Sequence, residues 1–509
     1  MIPLLTRQQA RAMDADATTR LGIASSELME NAGAGAARIA MDAFAKQLQR
    51  VWVFGGIGQN GGDAWVFARA LMKRGVNPTV VLVGAREKIS GDAKPNFEQL
   101  AGLGLSVIDV RVEADLPRVR EGLSAATLIV DGLFGTGLDR EISGAPRAVI
   151  ELINQQRAPV VALDLPSGVD ADDGAILGAA VNATLTVTFG AHKRGLHQAP
   201  GRPCCGEIVC VPIGTEVPPQ IKNALIDAAT IARIVPPRAM NAHKGSAGRV
   251  LVIAGSEGHT GAALLSGSGA LRAGAGLVTI APCHSAFAVV EAKVIEMMTA
   301  RISAEPERAI DELTALAERA DAVVLGPGFG LSEDARRVAR ALAVSLRPPT
   351  VIDADALTAC SDDIAMLQRC AGPRVLTPHP GEASRLLGIE TANVQRDRFA
   401  SAAMLAKRSG HISILKGACT IVAAPDGALR VCDRGTPALA VGGTGDVLAG
   451  TVAALLCTAP AFDAASAGVW LHAVAGELAA NADRGLLARE VADALPRALT
   501  YARKSAGPG

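Results

Sequence analysis

The sequence predicts an α/β protein of two domains, each a mostly parallel sheet with helices on both faces, a three-layer arrangement. Three observations predict it. Short runs of branched apolar residues alternate with helix-length stretches along the whole chain. Glycine is abundant, at 54 residues, while aromatics supply only 3%, which suits tight strand-to-helix turns. With 509 residues, the chain is longer than one core commonly serves.

The strands follow in order. Val51–Phe54, Thr79–Val83, Leu128–Asp131, Val160–Asp164 and Leu185–Phe189 form the first set, and stretches such as Asp63–Arg74 between them hold helices. The pattern lapses near Pro218–Lys244, a segment holding Pro218, Pro219, Pro236 and Pro237. It restarts with Arg249–Ala254, Gly276–Ala281, Ala322–Leu325, Thr350–Asp353, Val375–Thr377 and Ile412–Leu415. A domain boundary is expected near residue 225, giving domains 1–225 and 226–509. The two halves share no motif order, so no internal repeat is predicted.

Composition excludes several classes. Hydrophobic residues make up 49% and charged residues 20%, with 50 Lys and Arg against 50 Asp and Glu. Zero net charge leaves no electrostatic footprint for nucleic acid or an anionic membrane. The nine cysteines include no C-x-x-C pair, and the spacing of Cys204, Cys205 and Cys210 fits neither zinc nor a disulfide framework. Reduced thiols and a cytoplasmic location are expected. The start lacks a signal-peptide core. The uncharged run Ala273–Val290 contains Gly274, Gly276, Pro282 and His284 and reads as helix end, strand and loop, not a membrane span.

Glycine-rich strand ends carry the chemistry of the first half. Gln59-Asn-Gly-Gly-Asp63 follows Val51–Phe54 and leads into a helix. Such a turn lets backbone approach a ligand, and amides at a helix start attract phosphate. Alone it is a weak signal, the alternative being a tight connection with no ligand. It is no Walker loop, because no Gly-Lys-Ser/Thr follows. Asp131-Gly-Leu-Phe-Gly-Thr-Gly137 and Asp164-Leu-Pro-Ser-Gly168 end two more strands, and Lys193 and Arg194 follow a third. Carboxyl ends of parallel strands face one crevice. Oxygens of Asn60, Asp131 and Ser167 could there surround a hard cation. Asp164 is a candidate general base. Alternatively Asp131 caps a turn and Asn60 supports its loop.

These stretches, with Leu28-Met-Glu-Asn-Ala-Gly33, resemble the YjeF N-terminal family of NAD(P)H-hydrate epimerases. The resemblance implies a Rossmann-like sandwich. It implies potassium on Asn60, Asp131 and Ser167. It implies hydrated-nucleotide contacts from Gln59, Asn60, Gly61, Gly62 and Asp63, from Gly135, Thr136, Gly137, Leu138, Asp139, Arg140 and Glu141, and from Asp164. Gln59 and Ala64 depart from the family pattern Asn-Asn-Gly-Gly-Asp-Gly.

In the second half, Gly442-Gly-Thr-Gly-Asp446 precedes an apolar helix read as Val447–Leu456. Free amides of Gly443, Thr444 and Gly445 form a candidate anion hole for a transferring phosphoryl group. Asp446 can accept a hydroxyl proton, although a carboxylate there is also a good helix cap. Gly326-Pro-Gly-Phe-Gly330, Asp353-Ala-Asp355, Thr377-Pro-His-Pro-Gly-Glu382 and Lys416-Gly-Ala-Cys-Thr420 lie at other strand ends. Lys416 can neutralise nucleotide phosphates, and Glu382 can reach magnesium through water.

Together with Lys244–Gly255, Gly261-Ala-Ala263 and Gly274-Ala-Gly-Leu-Val278, these motifs resemble the ribokinase-like NAD(P)H-hydrate dehydratases. The resemblance implies hydrated-nucleotide contacts from Ala262, Gly326, His379 and Asp446. It implies ADP or ATP contacts, with magnesium, from Lys416, Gly417, Ala418, Cys419, Thr420 and Gly445. The expected substrates are the hydrates NADHX and NADPHX with ADP or ATP, in a homo-oligomer. Two other readings stay open: a kinase for a hydroxymethylpyrimidine or thiazole vitamin precursor, and an N-terminal domain that binds nucleotide without catalysis.

Overall fold

The computed structural model describes residues 1–506. It divides into two compact units. One comprises Pro3–Ile221; the other comprises Lys222 onward together with Met1–Ile2.

The N-terminal unit is built on a parallel sheet. Its strands run in the order Val107–Val110, Thr79–Val83, Val51–Gly55, Leu128–Gly132, Val160–Leu163, Leu185–Phe189 and Glu207–Val211. The central strands are buried along their whole length, as helices on both faces require. The chain moves outward in opposite directions from the adjacent pair Val51–Gly55 and Leu128–Gly132. The carboxyl ends of that pair therefore form the switch point where such sheets bind ligands.

The helix after Val51–Gly55 spans Gln59–Met72. It starts four residues before the expected Asp63, so the Gln59–Asp63 motif is its first turn and not a loop. Gly61 is required there, because a Cβ would collide with the carbonyl of Gly56. Ala64 lies one turn in and is fully buried, a helical position that needs no positive φ.

In the C-terminal unit the strand order is Met298–Thr299, Leu277–Ile280, Arg249–Ile253, Ala322–Leu325, Thr350–Ile352, Arg374–Leu376, Ile412–Leu415, Thr420–Ala423, Leu429–Cys432 and Ala224–Leu225. Pairing is parallel through Ile412–Leu415 and antiparallel across Thr420–Ala423. The switch point lies between Arg249–Ile253 and Ala322–Leu325. The helices Thr444–Leu456 and Ala461–Ala479 are apolar almost all round and sit in the core. The first starts three residues before the expected Val447. The run Ala273–Val290 resolves into the end of helix Thr260–Ala273, strand Leu277–Ile280 and the start of a short helix Phe287–Glu291. Among the described residues no helix is long and apolar enough to cross a membrane, and no cysteine is in a disulfide.

Candidate active sites

In the N-terminal unit the strand ends open onto a cavity of about 500 Å³. Its wall includes Gln59, Asn60 and Asp63 from the first turn of Gln59–Met72, the segment Gly135–Leu138, and Asp164. Gly61 and Gly62 are buried behind that wall. Asp139, Arg140 and Glu141 are exposed and take no part in the lining.

Asp131 and Ser167 are buried and locked together. The Ser167 hydroxyl donates to Asp131 Oδ1 at 2.6 Å, and its backbone N–H donates to Oδ2 at 2.8 Å. Oδ1 also accepts the Leu133 N–H at 3.2 Å, so Asp131 does cap a turn. The Phe134 N–H donates to Ser167 Oγ at 2.8 Å. Burial pushes the Asp131 carboxyl up to about 6, with the Ser167 and Leu133 bonds opposing it. Asn60 approaches the same segment from the other strand end. A Cβ at Gly135 would lie 3.2 Å from Asn60 Cγ and 3.3 Å from Asp164 Oδ2. Both polar atoms of the buried Asn60 amide lack a hydrogen-bond partner among the described residues. The three side chains thus flank one turn, Leu133–Gly135, and the unpartnered oxygen of Asn60 is available to a ligand.

Asp164 sits at φ +65°, in the left-handed region that L-residues rarely adopt. Lys193, which sequence reading placed only as a neighbour, bonds Asp164 Oδ1 at 2.5 Å, Phe189 O at 2.8 Å and Thr188 Oγ1 at 3.1 Å. A further carboxylate, Asp14, enters from the helix Arg7–Thr19. Sequence reading missed it, yet a signal was present. Ala10, Met13 and Ala17 are the buried stripe of that helix, and Asp14 lies beside it, four residues from Ala10 and three from Ala17. Burial, then Asp164 and Asp14, push the Asp63 carboxyl well above the usual range, against Lys193.

In the C-terminal unit the helix Thr444–Leu456 begins on Gly443, whose φ of +94° favours glycine. No side chain caps it, so its first amides stay available. The Thr444 hydroxyl bonds the Leu439 and Val441 carbonyls, both at 3.1 Å, which holds the glycine turn in place. Asp446 lies in the first helical turn. Burial, then the nearby Asp353, push its carboxyl up to about 7, with Lys416 opposing and Asp355 adding.

A Cβ at Gly445 would lie 3.5 Å from Lys416 Nζ. Lys416 bonds Asp353 Oδ1 at 2.9 Å and lies 3.8 Å from Glu382 Oε2. Burial works against its charge, but Asp353, Glu382 and Asp446 outweigh burial and raise the ammonium. The remaining predicted nucleotide contacts, Gly417–Thr420, form the turn between the antiparallel strands Ile412–Leu415 and Thr420–Ala423. Ala262 and Gly326 lie at the switch point: a Cβ at Gly328 would lie 3.1 Å from Ala262 Cβ.

His379 is half exposed and caps its own helix, Pro380–Leu387. Its Nδ1 accepts the N–H groups of Gly381 and Glu382, while Glu382 accepts the His379 N–H at 2.7 Å. Glu382 is thereby oriented toward Lys416.

Residues 25–195 match the family model described as YjeF-related protein N-terminus, and residues 250–497 match the one described as NAD(P)H-hydrate dehydratase. The chain is 39% identical to a bifunctional NAD(P)H-hydrate repair enzyme of Moorella thermoacetica, over 97% of this chain and 96% of that one. It is 34% identical to the Escherichia coli enzyme of the same name, over 96% and 92%. Among solved structures, an ADP/ATP-dependent NAD(P)H-hydrate dehydratase from Bacillus subtilis, co-crystallised with ATP and Mg2+, is 30% identical with a TM-score of 0.49, covering 55% of this chain and 98% of that one. The chain belongs to the family of bifunctional NAD(P)H-hydrate repair enzymes, in which an epimerase domain is joined to a dehydratase domain.

Proposed function

We propose that domain 1–225 interconverts the R and S forms of hydrated NADH and NADPH. Domain 226–509 then returns the S form to NADH or NADPH by phosphorylating the ring hydroxyl and eliminating phosphate. The carrying observation is the placement of Asp446 in an uncapped first helical turn, with Lys416 beside Gly445.

Phosphoryl transfer needs a base for the hydroxyl and donors for the moving charge. Asp446 takes the hydroxyl proton. The amides of Gly443, Thr444 and Gly445 hold the transferring group. Lys416 and the Gly417–Thr420 turn hold the donor nucleotide, ADP or ATP. Ala262, Gly326 and His379 flank the hydrated nucleotide. Phosphate leaves far more readily than hydroxide. The ring nitrogen lone pair expels it, and loss of a proton from the neighbouring carbon restores the double bond.

Two ions fit the donor sets. Glu382 and Asp353 supply oxygens suited to water-mediated magnesium, which would neutralise nucleotide phosphate charge. Asn60, Asp131 and Ser167 supply only oxygens to potassium, and the partnerless Asn60 amide supports a ligand there. Bound potassium would offset phosphate charge beside the epimerase cavity, where Gln59, Asn60, Asp63, Gly135–Leu138 and Asp164 receive the hydrated nucleotide. The balanced charge supports small-molecule partners, and cysteines outside any disulfide among the described residues support a cytoplasmic location; a homo-oligomer is expected, to be read by light scattering.

The test is purified protein on NADHX with ADP and ATP in parallel, following the absorbance of the reduced nicotinamide. Return of NADH from both epimers is expected. No return with either nucleotide sinks the reading.

A further inference from the structure

The cavity of the N-terminal unit holds more ionisable groups than substrate binding needs. Asp14, Asp63, Asp92 and Asp164 line it with Arg11 and Lys193. Asp164 and Lys193 neutralise each other through their 2.5 Å contact. Asp164 Oδ1 is occupied by the Lys193 ammonium and is not open to a substrate proton.

Asp14 differs. Its helix is fixed at its start by a Thr6 and Gln9 capping box, and the Arg7 N–H donates to Asp172 Oδ1 at 2.8 Å. Met13 is buried next to it. The carboxylate itself enters the cavity with no hydrogen-bond partner among the described residues. Partial desolvation by the cavity wall raises it to about 6, with Lys193 opposing and Asp164 adding, while the side chain keeps an exposed face toward solvent. A carboxylate with that affinity for protons is ionised at neutral pH yet is a stronger base than an ordinary aspartate.

Resting on the epimerase reading above, we propose that Asp14 is the general base of epimerisation and that the Lys193 ammonium, held by Asp164, is the acid. The hydrated ring carries its hydroxyl on the carbon bonded to the ring nitrogen. Asp14 takes the hydroxyl proton. The freed O–H pair forms the second carbon–oxygen bond of an aldehyde as the carbon–nitrogen bond breaks. The pair of that broken bond passes to the nitrogen, which takes a proton from Lys193. Rotation about the adjacent carbon–carbon bond presents the other face of the aldehyde. The nitrogen re-adds and returns its proton to Lys193, and the oxygen recovers its proton from Asp14. Nothing is oxidised, and both side chains end as they began.

The test is Asp14→Asn in the full chain, assayed for epimerisation of the R hydrate, for substrate binding and for dehydration of the S hydrate. A fall in epimerase kcat of about 10²-fold is expected, with substrate Kd and dehydration unchanged. Wild-type kcat/KM should rise with pH through about 6 and then level, and the variant should lose that limb. An epimerase kcat within about threefold of wild type, or weakened binding with kcat intact, overturns the assignment. A flat wild-type profile through pH 6 overturns it too, even if the variant does not fold. A wild-type protein without epimerase activity overturns the epimerase reading itself, a separable outcome.

Discussion

Ser167 engages both oxygens of Asp131, its hydroxyl on Oδ1 at 2.6 Å and its backbone N–H on Oδ2 at 2.8 Å. The same hydroxyl oxygen accepts the Phe134 N–H, so one side chain ties two strand ends to the turn at the cavity mouth. Ser167→Ala should therefore leave the Phe134 amide without its partner and Asp131 Oδ1 with the Leu133 N–H alone. A loss of about 1–3 kcal/mol is expected. Chemical denaturation of the variant should show it in the N-terminal unit, while dehydration of the S hydrate persists.

The Asp446 carboxyl tests the dehydratase site. Asp446→Asn keeps the side-chain shape and removes the base, so dehydration should fall by about 10²-fold or more. Near-wild-type turnover refutes the role. In the wild type, kcat/KM for dehydration should fall as pH drops below about 7, where the carboxylate takes up its proton.

Stability gives an independent reading of the same group. Its folded pKa lies above its unfolded value of 3.8, so the folded state binds the proton more tightly. The contribution is fully present below about pH 3.8 and is lost as pH rises through about 7. Across that window Asp446→Asn should flatten the pH dependence of unfolding. An identical slope in variant and wild type shows that Asp446 ionises normally.

Potassium should raise the melting temperature of the N-terminal unit relative to choline at equal ionic strength, because a ligand that binds only the folded state stabilises it. Asn60→Ala should abolish the difference. A potassium effect that survives in the variant places the ion elsewhere.

A chain cut between Ile221 and Lys222 should yield two soluble pieces, each with its own sheet and crevice. The C-terminal piece should bind ADP by calorimetry. A folded piece that binds no adenine nucleotide contradicts the two-site reading.

Much of this was legible because buried parallel strands read as apolar runs: Thr79–Val83, Leu185–Phe189, Ala322–Leu325 and Ile412–Leu415 match the sequence reading end to end. Val107–Val110, at the edge of its sheet, is only half-buried over three of its four residues and lacks that signature. The antiparallel pair Thr420–Ala423 and Leu429–Cys432 interrupts a parallel grammar. Both glycine motifs were read as loops before helices, because glycine lowers helix propensity. Close packing, as of Gly61 against the Gly56 carbonyl, is invisible in sequence. So is the Lys193–Asp164 pair, made across 29 residues. The motifs found the crevices, but the proton chemistry inside the first depends on tertiary neighbours.

Asp164 at φ +65° and Ala354 at φ +49° both sit at strand ends that carry a site. Anyone engineering a hardier catalyst meets a trade-off there. Ala354→Gly would relax an awkward backbone at the edge of the Asp353 and Asp355 cluster, and it would also loosen the scaffold that aims those carboxylates. Robustness is more safely sought on exposed helix faces remote from both crevices, where a gain in melting temperature carries no levy on turnover.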